Sequence, residues 1–544
     1  MVYAYILSVI LMILMPVGLA AWLRRVATPA WLLFCLGALT FALAQAVHLP
    51  LNEALAKLGW LPGESMADLP LWRTALTAGL TAGLCESLAR AGGYLFLRKA
   101  RPAWLRLPDA VMLGLGHGGF EAMIFGGVMT ATTFSSLLPL VGVDLSALNL
   151  PAEQMEILQA QLQTLTGSPL IAAAPLLERL LALSAHVFLS LMVWKAFARG
   201  QFRRDWPYLL LAIGYHTTID ALAVWSAQTY SGQTWLILLG LVAILLPGWA
   251  WALWLVRQGR VAGVSQPSRS SMKEELGVFW AATRKELRQA GRTRRILVVG
   301  AVFLIFGMGS PLLAKFTPEI LKSVEGAEMF AGLIPEPTAA DAMLQYIENI
   351  SQFGFILAVV LGMGAVVSEK ERGVAPMILS KPMPRWAFIA SKFAAQTIVY
   401  LLGFGLAWIG AYYYTIILFG GLDFGGFALL NGLLLLWLLT FVGLSLVGST
   451  LGASTAAAGG IGLLLSVVLM LAGSLPRYGV LFPGALLAWA SAVGRAAAGF
   501  ATADPLLALT SGATAYQGGA AASALVVIVL SLVLAVGIFE QQEL

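Results

Sequence analysis

The sequence predicts an all-α protein that crosses a membrane many times. Of its 544 residues, 59% are hydrophobic and only 11% are charged, whereas soluble globular proteins carry about twice that share of charge. Apolar runs of about eighteen residues or more recur along the chain, and each can cross roughly 30 Å of hydrocarbon as a helix. Lipid offers no hydrogen bonds to the backbone, so these segments must be helical. A soluble globular protein is therefore excluded.

Thirteen apolar segments are predicted to span the membrane, seven in a first group and six in a second. The first group lies at about residues 3–22, 30–50, 71–97, 109–130, 169–194, 207–227 and 234–256. The second group lies at about residues 296–313, 347–367, 393–419, 427–451, 457–475 and 521–539. The first segment has no basic residue before it and Arg24 and Arg25 after it. This is the reverse of a signal peptide, so we expect the segment to remain in the mature protein.

The distribution of basic residues predicts the orientation. If the N-terminus is outside, the inner loops hold most of the 33 lysines and arginines. The positive-inside rule then predicts an outer N-terminus and a cytoplasmic C-terminus. Because topology explains the net charge of +6, no nucleic-acid partner is needed, and the lipid bilayer is the expected surrounding.

A polar, basic segment divides the chain into two predicted domains. Residues 257–272, RQGRVAGVSQPSRSSM, are rich in Ser, Pro, Gly and Arg, as expected of a cytoplasmic linker. The predicted domains are residues 1–256 and 273–544. All four histidines precede the linker, so the two domains should differ in chemistry. Cys35 and Cys85 both lie in apolar runs and suggest neither a disulfide nor a thiolate metal site.

Ionisable residues recur at helical spacing within the first group of segments. A charge at the bilayer centre costs about 2.5 to 3.5 kcal/mol on insertion scales, which makes such residues candidates for a functional site. Residues four apart share one helix face. For any single pair, a packing hydrogen bond or ion pair is the simpler explanation. The candidates are Glu86 with Arg90, His117 with Glu121, His216 with Asp220, and Glu178, Arg179 and His186.

Four of these candidates lie at one predicted depth. At about 1.5 Å per residue, each is roughly 13 to 18 Å from the nearest cytoplasmic basic residues. Four helices with ionisable groups at one level predict a single site. Glu121, Glu178 and Arg179 are assigned a supporting role, and His48, near the outer end of its helix, is placed outside the site. The four residues at one depth are Glu86, His117, His186 and His216.

The motifs CESLAR, LGLGHGGFEAM, ERLLALSAH and HTTID, in this order, resemble the YhfC-type branch of the CPBP intramembrane proteases, relatives of the CAAX prenyl endopeptidases. The resemblance covers roughly residues 1–256. It implies an intramembrane endopeptidase in which a glutamate activates water, while histidine and Asn or Asp groups support the oxyanion or a metal ion. Zinc suits histidine and carboxylate ligands. The residues implied as catalytic are Glu86, Arg90, His117, His186, His216 and Asp220, with His117, His186 and His216 as candidate zinc ligands.

Two departures from that pattern leave an alternative open. Cys85 stands where the wider superfamily has the first of two glutamates, and Leu113 stands where it has phenylalanine. If the first glutamate is the catalytic one, the first domain would be an inactive docking or substrate-binding scaffold of a pure transporter. A third hypothesis is a module that sequesters a lipophilic peptide.

The second domain contains a charged turn in an otherwise apolar region. An amphipathic helix is predicted over residues 272–295, ahead of VVSEKERGVAPMILSKPMPRWAFIASK at 366–392. This pattern resembles the six-helix permeases of ABC exporters, over about residues 272–544. The resemblance implies a homodimer or paired permease and contact of the charged turn with an ATPase subunit. The residues implied in that contact are Glu369, Glu371, Arg372 and Gly373.

The chain has no phosphate-binding loop of the form G-x-x-x-x-G-K-[ST]. ATP would therefore act only through a separate ATPase subunit. The leading interpretation is an ABC exporter permease fused to an intramembrane endopeptidase.

Overall fold

The computed structural model describes residues 2–62, 69–141, 145, 152–167, 173–259, 271–322, 336–475, 479–500 and 517–543. Within these ranges the regular secondary structure is helical and contains no strand, which confirms the predicted all-α class. The chain forms two compact units, residues 1–131 with 151–267, and residues 132–150 with 268–544. The predicted linker at 257–272 falls mostly outside the described residues, so the predicted domain boundaries stay a prediction.

Ten α-helices lie before residue 260 in the part of the chain that the structure describes. They are α1 (Val2–Ala27), α2 (Trp31–Lys57), α3 (Leu71–Ala100), α4 (Leu107–Glu121), α5 (Met129–Leu137), α6 (Ala152–Thr166), α7 (Ala174–Ala198), α8 (Phe202–Asp205), α9 (Pro207–Thr229) and α10 (Thr234–Gly259). A π-helical segment, Ala122–Val128, joins α4 to α5. Such widened turns often occur at functional sites.

Close approach of α3 to α9 depends on two glycines. In the stretch GLTAG, Gly79 and Gly83 are four residues apart and face α9. A Cβ atom at Gly79 would lie 2.5 Å from the carbonyl oxygen of Thr217, and one at Gly83 would lie 2.6 Å from its Oγ1. Small residues at this spacing let membrane helices pack backbone to backbone. The helix carrying Glu86 and Arg90 is therefore held directly against the helix carrying His216.

The helices after residue 270 surround α17. They are α11 (Met272–Arg292), α12 (Arg295–Lys322), α13 (Ala339–Met363), α14 (Val367–Glu371), α15 (Val374–Leu379), α16 (Arg385–Phe419), α17 (Phe424–Leu451), α18 (Thr455–Gly473), α19 (Ala485–Ala497) and α20 (Gln517–Glu540). Helix α17 packs against α13, α16, α18, α19 and α20. Its buried aromatic residues Phe427, Trp437 and Phe441 form the centre of the core.

The predicted amphipathic segment is the helix α11. Ser271 caps it by accepting a hydrogen bond from the backbone N–H of Glu274, and the Glu274 carboxylate accepts one in return. On its apolar face, Thr283 is buried and Phe279 stacks on Trp386 with ring centroids 6.0 Å apart. Trp280 is exposed, as expected for a side chain at a membrane interface.

Twelve described helices are long and apolar enough to span a membrane, and the protein is a multi-pass membrane protein. They coincide with every predicted span except the third. Helix α3 does cover that region, but Arg73, Glu86, Arg90, Arg98 and Lys99 give it an unusually charged sequence. The helix that lowers the count is thus the one that carries Glu86 and Arg90 of the candidate site. The total of thirteen spans and the orientation remain predictions.

Candidate active site

Four helices bring the candidate residues into one buried cluster. Glu86 and Arg90 lie one turn apart on α3, His117 lies on α4, His186 on α7 and His216 on α9. All five side chains are buried, and Arg90 and His117 have no exposed surface. Burial of this many ionisable groups is costly unless they pair with one another or bind a metal ion.

One carboxylate oxygen is the centre of the cluster. Oε2 of Glu86 lies 3.1 Å from Nε2 of His117 and 3.2 Å from Nη2 of Arg90. It also lies 3.7 Å from Nδ1 of His186 and 3.7 Å from Nε2 of His216. The residues predicted to share one depth therefore converge on a single atom.

Three of these side chains can act together as metal ligands. Glu86, His186 and His216 each place one ligand atom within 4.8 Å of the others. A carboxylate with two imidazoles is a ligand set of zinc hydrolases. Nδ1 of His216 is buried and has no hydrogen-bond partner among the described residues, whereas its Nε2 faces Glu86 and Asp220. The donor set and its burial fit a divalent cation.

Glu86, His186 and His216 form the geometric donor set. His117, which was predicted as a ligand together with His186 and His216, is not part of this set. Its Nδ1 lies 2.8 Å from Oγ1 of Thr40. Because Thr40 donates its hydroxyl hydrogen to the carbonyl oxygen of Gly37, it can only accept from His117. Nε2 of His117 then faces Oε2 of Glu86 at 3.1 Å. His117 thus lies beside the carboxylate of the donor set with its second ring nitrogen toward it.

Glycines on both sides of His117 let the neighbouring helices approach it. In the stretch GHGG, a Cβ atom at Gly116 would lie 2.1 Å from the carbonyl oxygen of Phe34 on α2. A Cβ atom at Gly118 would lie 2.6 Å from Cβ of His186 on α7. Neither approach is compatible with a larger residue. The glycines therefore set the distance between the two histidines, whose ring centroids are 5.5 Å apart.

The supporting residues form a chain of ion pairs behind His186. Nη1 of Arg179 donates to Oε1 of Glu121 at 2.9 Å, and Arg179 also pairs with its neighbour Glu178. Glu121 in turn contacts Nε2 of His186, while Nη2 of Arg90 contacts its Nδ1. Glu121 was predicted to support His117, four residues earlier on the same helix. The structure instead directs it to His186.

His216 and Asp220 pair as their spacing predicts. Nε2 of His216 lies 3.4 Å from Oδ2 of Asp220, whose side chain is one-third exposed. Arg90 is less completely satisfied, since its Nε and Nη1 are buried without a hydrogen-bond partner in the described residues. Unpaired buried donors beside a reactive cluster are available to water or to a bound substrate.

The charged turn in the second half is divided between the interior and the surface. Glu369 is 5% exposed and, with Glu286, forms a four-membered ion cluster with Lys285 and Lys392. Burial raises the pKa of Glu286, but the two lysine ammonium groups outweigh it and hold that pKa below its usual value. Burial likewise lowers the pKa of Lys285, yet the glutamates reverse the effect and raise it.

The other predicted coupling residues remain at the surface. Glu371 and Arg372 are exposed, and Oε2 of Glu371 accepts a hydrogen bond from Oγ1 of Thr455 at 2.9 Å. Gly373 has φ of 68°, a left-handed conformation that other residues rarely adopt. It separates α14 from α15. The turn thus has an inward-facing anchor, Glu369, and an exposed end.

Comparison with known proteins accounts for both halves. Residues 11–246 match the family model of the YhfC intramembrane metalloprotease, and residues 280–544 match that of the ABC-2 family transporter protein. The chain is a fusion of these two domains. The protease-like and permease-like halves predicted from the motifs are confirmed, and the interpretation as a pure transporter is not favoured.

Two relatives from Bacillus subtilis (strain 168) are similar to parts of the fusion. The uncharacterized transmembrane protein YxlG is 28% identical over 201 residues, which is 36% of this chain and 77% of the relative. The uncharacterized membrane protein YhfC is 27% identical over 223 residues, which is 39% of this chain and 79% of the relative. All the clustered site residues lie within the YhfC domain, and the ion cluster lies within the ABC-2 domain.

The depth argument missed part of the polar network in the YhfC domain. Gln45 on α2 donates a hydrogen bond from Nε2 to Oε1 of Glu86 at 3.3 Å. His48, which was placed outside the site, is bonded to Gln45. The helical spacing of Gln45, His48 and Asn52 was visible in the sequence. It could have indicated a polar face directed toward α3.

Proposed function

We propose that the YhfC domain is an active, metal-dependent endopeptidase that cleaves peptide bonds within the membrane. The observation that carries the proposal is the convergence of three histidines and an arginine on Oε2 of Glu86 in a buried site. An ordinary packing pair would not need ionisable groups from four helices. The residues proposed as catalytic are Glu86, Arg90, His117, His186, His216 and Asp220.

Glu86, His186 and His216 would hold the metal ion. Zinc is the proposed ion because two imidazoles and one carboxylate match its preferred ligands. When bound, such an ion polarises a carbonyl group and makes water a stronger nucleophile at neutral pH. Glu121, fixed by Arg179 and Glu178, would orient His186, since ligand histidines usually donate their second N–H to a carboxylate.

The other residues would handle the proton and the developing charge. His117, whose Nε2 faces Oε2 of Glu86, would take a proton from water and give one to the leaving amine as the C–N bond breaks. Nε and Nη1 of Arg90 are free to donate to the carbonyl oxygen as it becomes negative. Asp220, whose Oδ2 lies 3.4 Å from Nε2 of His216, would help to orient that ring.

The test is cleavage in native membranes and in purified protein. Mass spectrometry of new peptide termini should find products in cells with the wild-type protein that are lost in cells with Glu86→Gln. In liposomes, Glu86→Gln and His117→Ala should slow cleavage of an identified substrate by about 10²- to 10⁴-fold, the typical contribution of acid–base catalysis. Glu53→Gln is the matched control, because Glu53 pairs with Lys57 near the end of α2, where its side chain is 60% exposed. Equal product profiles in all variants would favour the inactive scaffold instead.

We further propose that the ABC-2 domain is the permease of an ATP-driven exporter and works as a homodimer. ABC-2 permeases pair with an ABC ATPase subunit, which must be a separate chain because this sequence has no phosphate-binding loop. Glu371 and Arg372 would contact the ATPase. Glu369 and Gly373 would act indirectly, by fixing the position of that exposed turn.

Co-purification tests the assignment to an exporter. The protein in mild detergent should retain an ATPase subunit and stimulate its ATP turnover. Replacing both Glu371 and Arg372 with alanine should reduce the stimulation, while Arg24→Ala, in the last turn of α1, should not. Failure to recover any ATPase from native membranes would overturn the assignment. Cross-linking in the membrane tests the homodimer separately.

A further inference from the structure

A chain of hydrogen bonds leads along α2 to the second oxygen of Glu86. Oε2 of Glu86 faces the histidines, whereas Oε1 accepts from Nε2 of Gln45 at 3.3 Å. Among the described residues, Gln45 is the hydrogen-bond donor recorded at Oε1. A carboxylate has a broad, roughly two-fold torsion at its last bond. Because the two oxygens are equivalent, one donor at Oε1 restrains the rotation of the carboxylate and keeps its other oxygen toward the histidines.

The next links determine the direction of the chain. Oε1 of Gln45 lies 3.2 Å from Nδ1 of His48 and must accept from it. Nε2 of His48 then accepts from Nδ2 of Asn52 at 2.9 Å. Thr81 also lies 3.2 Å from this nitrogen, but its hydroxyl donates to the carbonyl oxygen of Ala78 at 3.0 Å. His48 is thus neutral with its hydrogen on Nδ1.

Each donor in this chain points toward Glu86. Asn52 donates to His48, His48 donates to Gln45, and Gln45 donates to the carboxylate. Turning the Gln45 amide around would set its carbonyl oxygen against Oε1 of Glu86 and its N–H group against the N–H of His48. The two contacts of Gln45 therefore enforce the same orientation.

We propose that Gln45 and His48 are positioning residues that hold the Glu86 carboxylate in its metal-binding orientation. This inference rests on the proposed function, because it assumes that Glu86 is a ligand. Groups that orient metal ligands from behind typically contribute 10- to 100-fold in metal affinity or activity. Gln45 should lie in that range, and His48, one bond further away, should contribute less.

The experiment measures Co²⁺ binding to the chelator-stripped, full-length protein in detergent, by visible absorption. Gln45→Leu removes the donor at similar volume, and Gln45→Glu keeps the shape but replaces the donor by an acceptor. Both should weaken Co²⁺ binding about 10- to 100-fold and shift the absorption band. His48→Ala should weaken it less. Gln228→Leu, at an exposed position on α9, is the matched control.

The outcomes separate the two proposals. If Glu86→Gln abolishes Co²⁺ binding while both Gln45 variants bind like the wild type, the positioning role is wrong and the proposed function stands. If the wild type binds no Co²⁺, both are overturned. Should Gln45→Leu fail to fold, as judged by gel filtration, the isosteric Gln45→Glu variant decides. A change in affinity together with a shifted absorption band supports the proposal, since a general loss of stability would not move the band.

Discussion

Replacing Lys392 with methionine tests whether the buried ion cluster holds the ABC-2 domain together. Lys392 is 2% exposed, and its Nζ lies 2.9 Å from both Oε1 of Glu286 and Oε2 of Glu369. Lys285 contacts the same two glutamates, so two cations balance two anions. Methionine preserves most of the volume but leaves the cluster with one excess negative charge.

The expected loss of stability follows from burial. Breaking a buried ion pair by removing one partner costs about 3 to 5 kcal/mol. For a domain of this size, that lowers the melting temperature by roughly 10 °C. The pair formed by Lys57 and Glu53 gives the control, because its side chains are 75% and 60% exposed. Lys57→Met should change stability by less than about 1 kcal/mol.

The assay is thermal unfolding of the purified protein in detergent at several pH values. The pKa of Glu286 is lowered in the folded protein, so its contribution is present above the usual glutamate pKa and is lost as the pH falls through the lower, folded value. The difference between Lys392→Met and the wild type should therefore narrow toward acidic pH. Equal melting temperatures at neutral pH would refute the reasoning.

Two further predictions concern glycines. Gly118→Ala should reduce both cleavage and Co²⁺ binding by displacing His186, because the new Cβ would lie 2.6 Å from Cβ of His186. Gly92→Ala is the control, because a Cβ at Gly92 would have no neighbouring atom within 4 Å, and it should leave both unchanged. Gly373→Ala should destabilise the turn by roughly 1 to 2 kcal/mol, because φ of Gly373 is 68°, and should lower ATPase stimulation. Gly364→Ala is the control, because φ of Gly364 is −88°, and it should change neither the stability nor the stimulation. Cleavage, metal titration and ATPase assays of the four variants check these outcomes.

Depth was enough to predict which residues of the YhfC domain converge. Helices of a bundle cross the same membrane, so residues at one depth occupy one layer. The contacts within that layer depend on helix rotation, which a depth estimate does not contain. For this reason Glu121 was assigned to His117 although it contacts His186. Rotation also makes Glu86, rather than His117, the third member of the donor set.

Long side chains and distant partners account for other differences. His48 was placed outside the site because of its depth, but the side chain of Gln45 bridges the intervening turn. The charge run around Glu369 resembles an exposed loop, and its burial depends on Lys285 and Lys392, which lie on helices remote in sequence. Helix α13 begins at Ala339 rather than near 347, because Thr338 and Asp341 form a reciprocal cap.

The charge of the whole network in the YhfC domain supports a divalent ion. Ion pairs connect four carboxylates and two guanidinium groups around the three histidines. The carboxylates are those of Glu86, Glu121, Glu178 and Asp220, and the guanidinium groups are those of Arg90 and Arg179. With all four carboxylates ionised and the imidazoles neutral, the network carries a net charge of −2, which one divalent cation neutralises.

This balance predicts that a charge can be removed from the network without removing a member of the geometric donor set. Asp220→Asn preserves the shape of the side chain beside His216 but lowers the negative charge by one, so Co²⁺ affinity should fall by about tenfold, or 1.4 kcal/mol. Glu53→Gln, outside the network, should bind Co²⁺ like the wild type. If Asp220→Asn binds equally well, the net charge does not determine affinity, and the geometry of Glu86, His186 and His216 alone must account for metal binding.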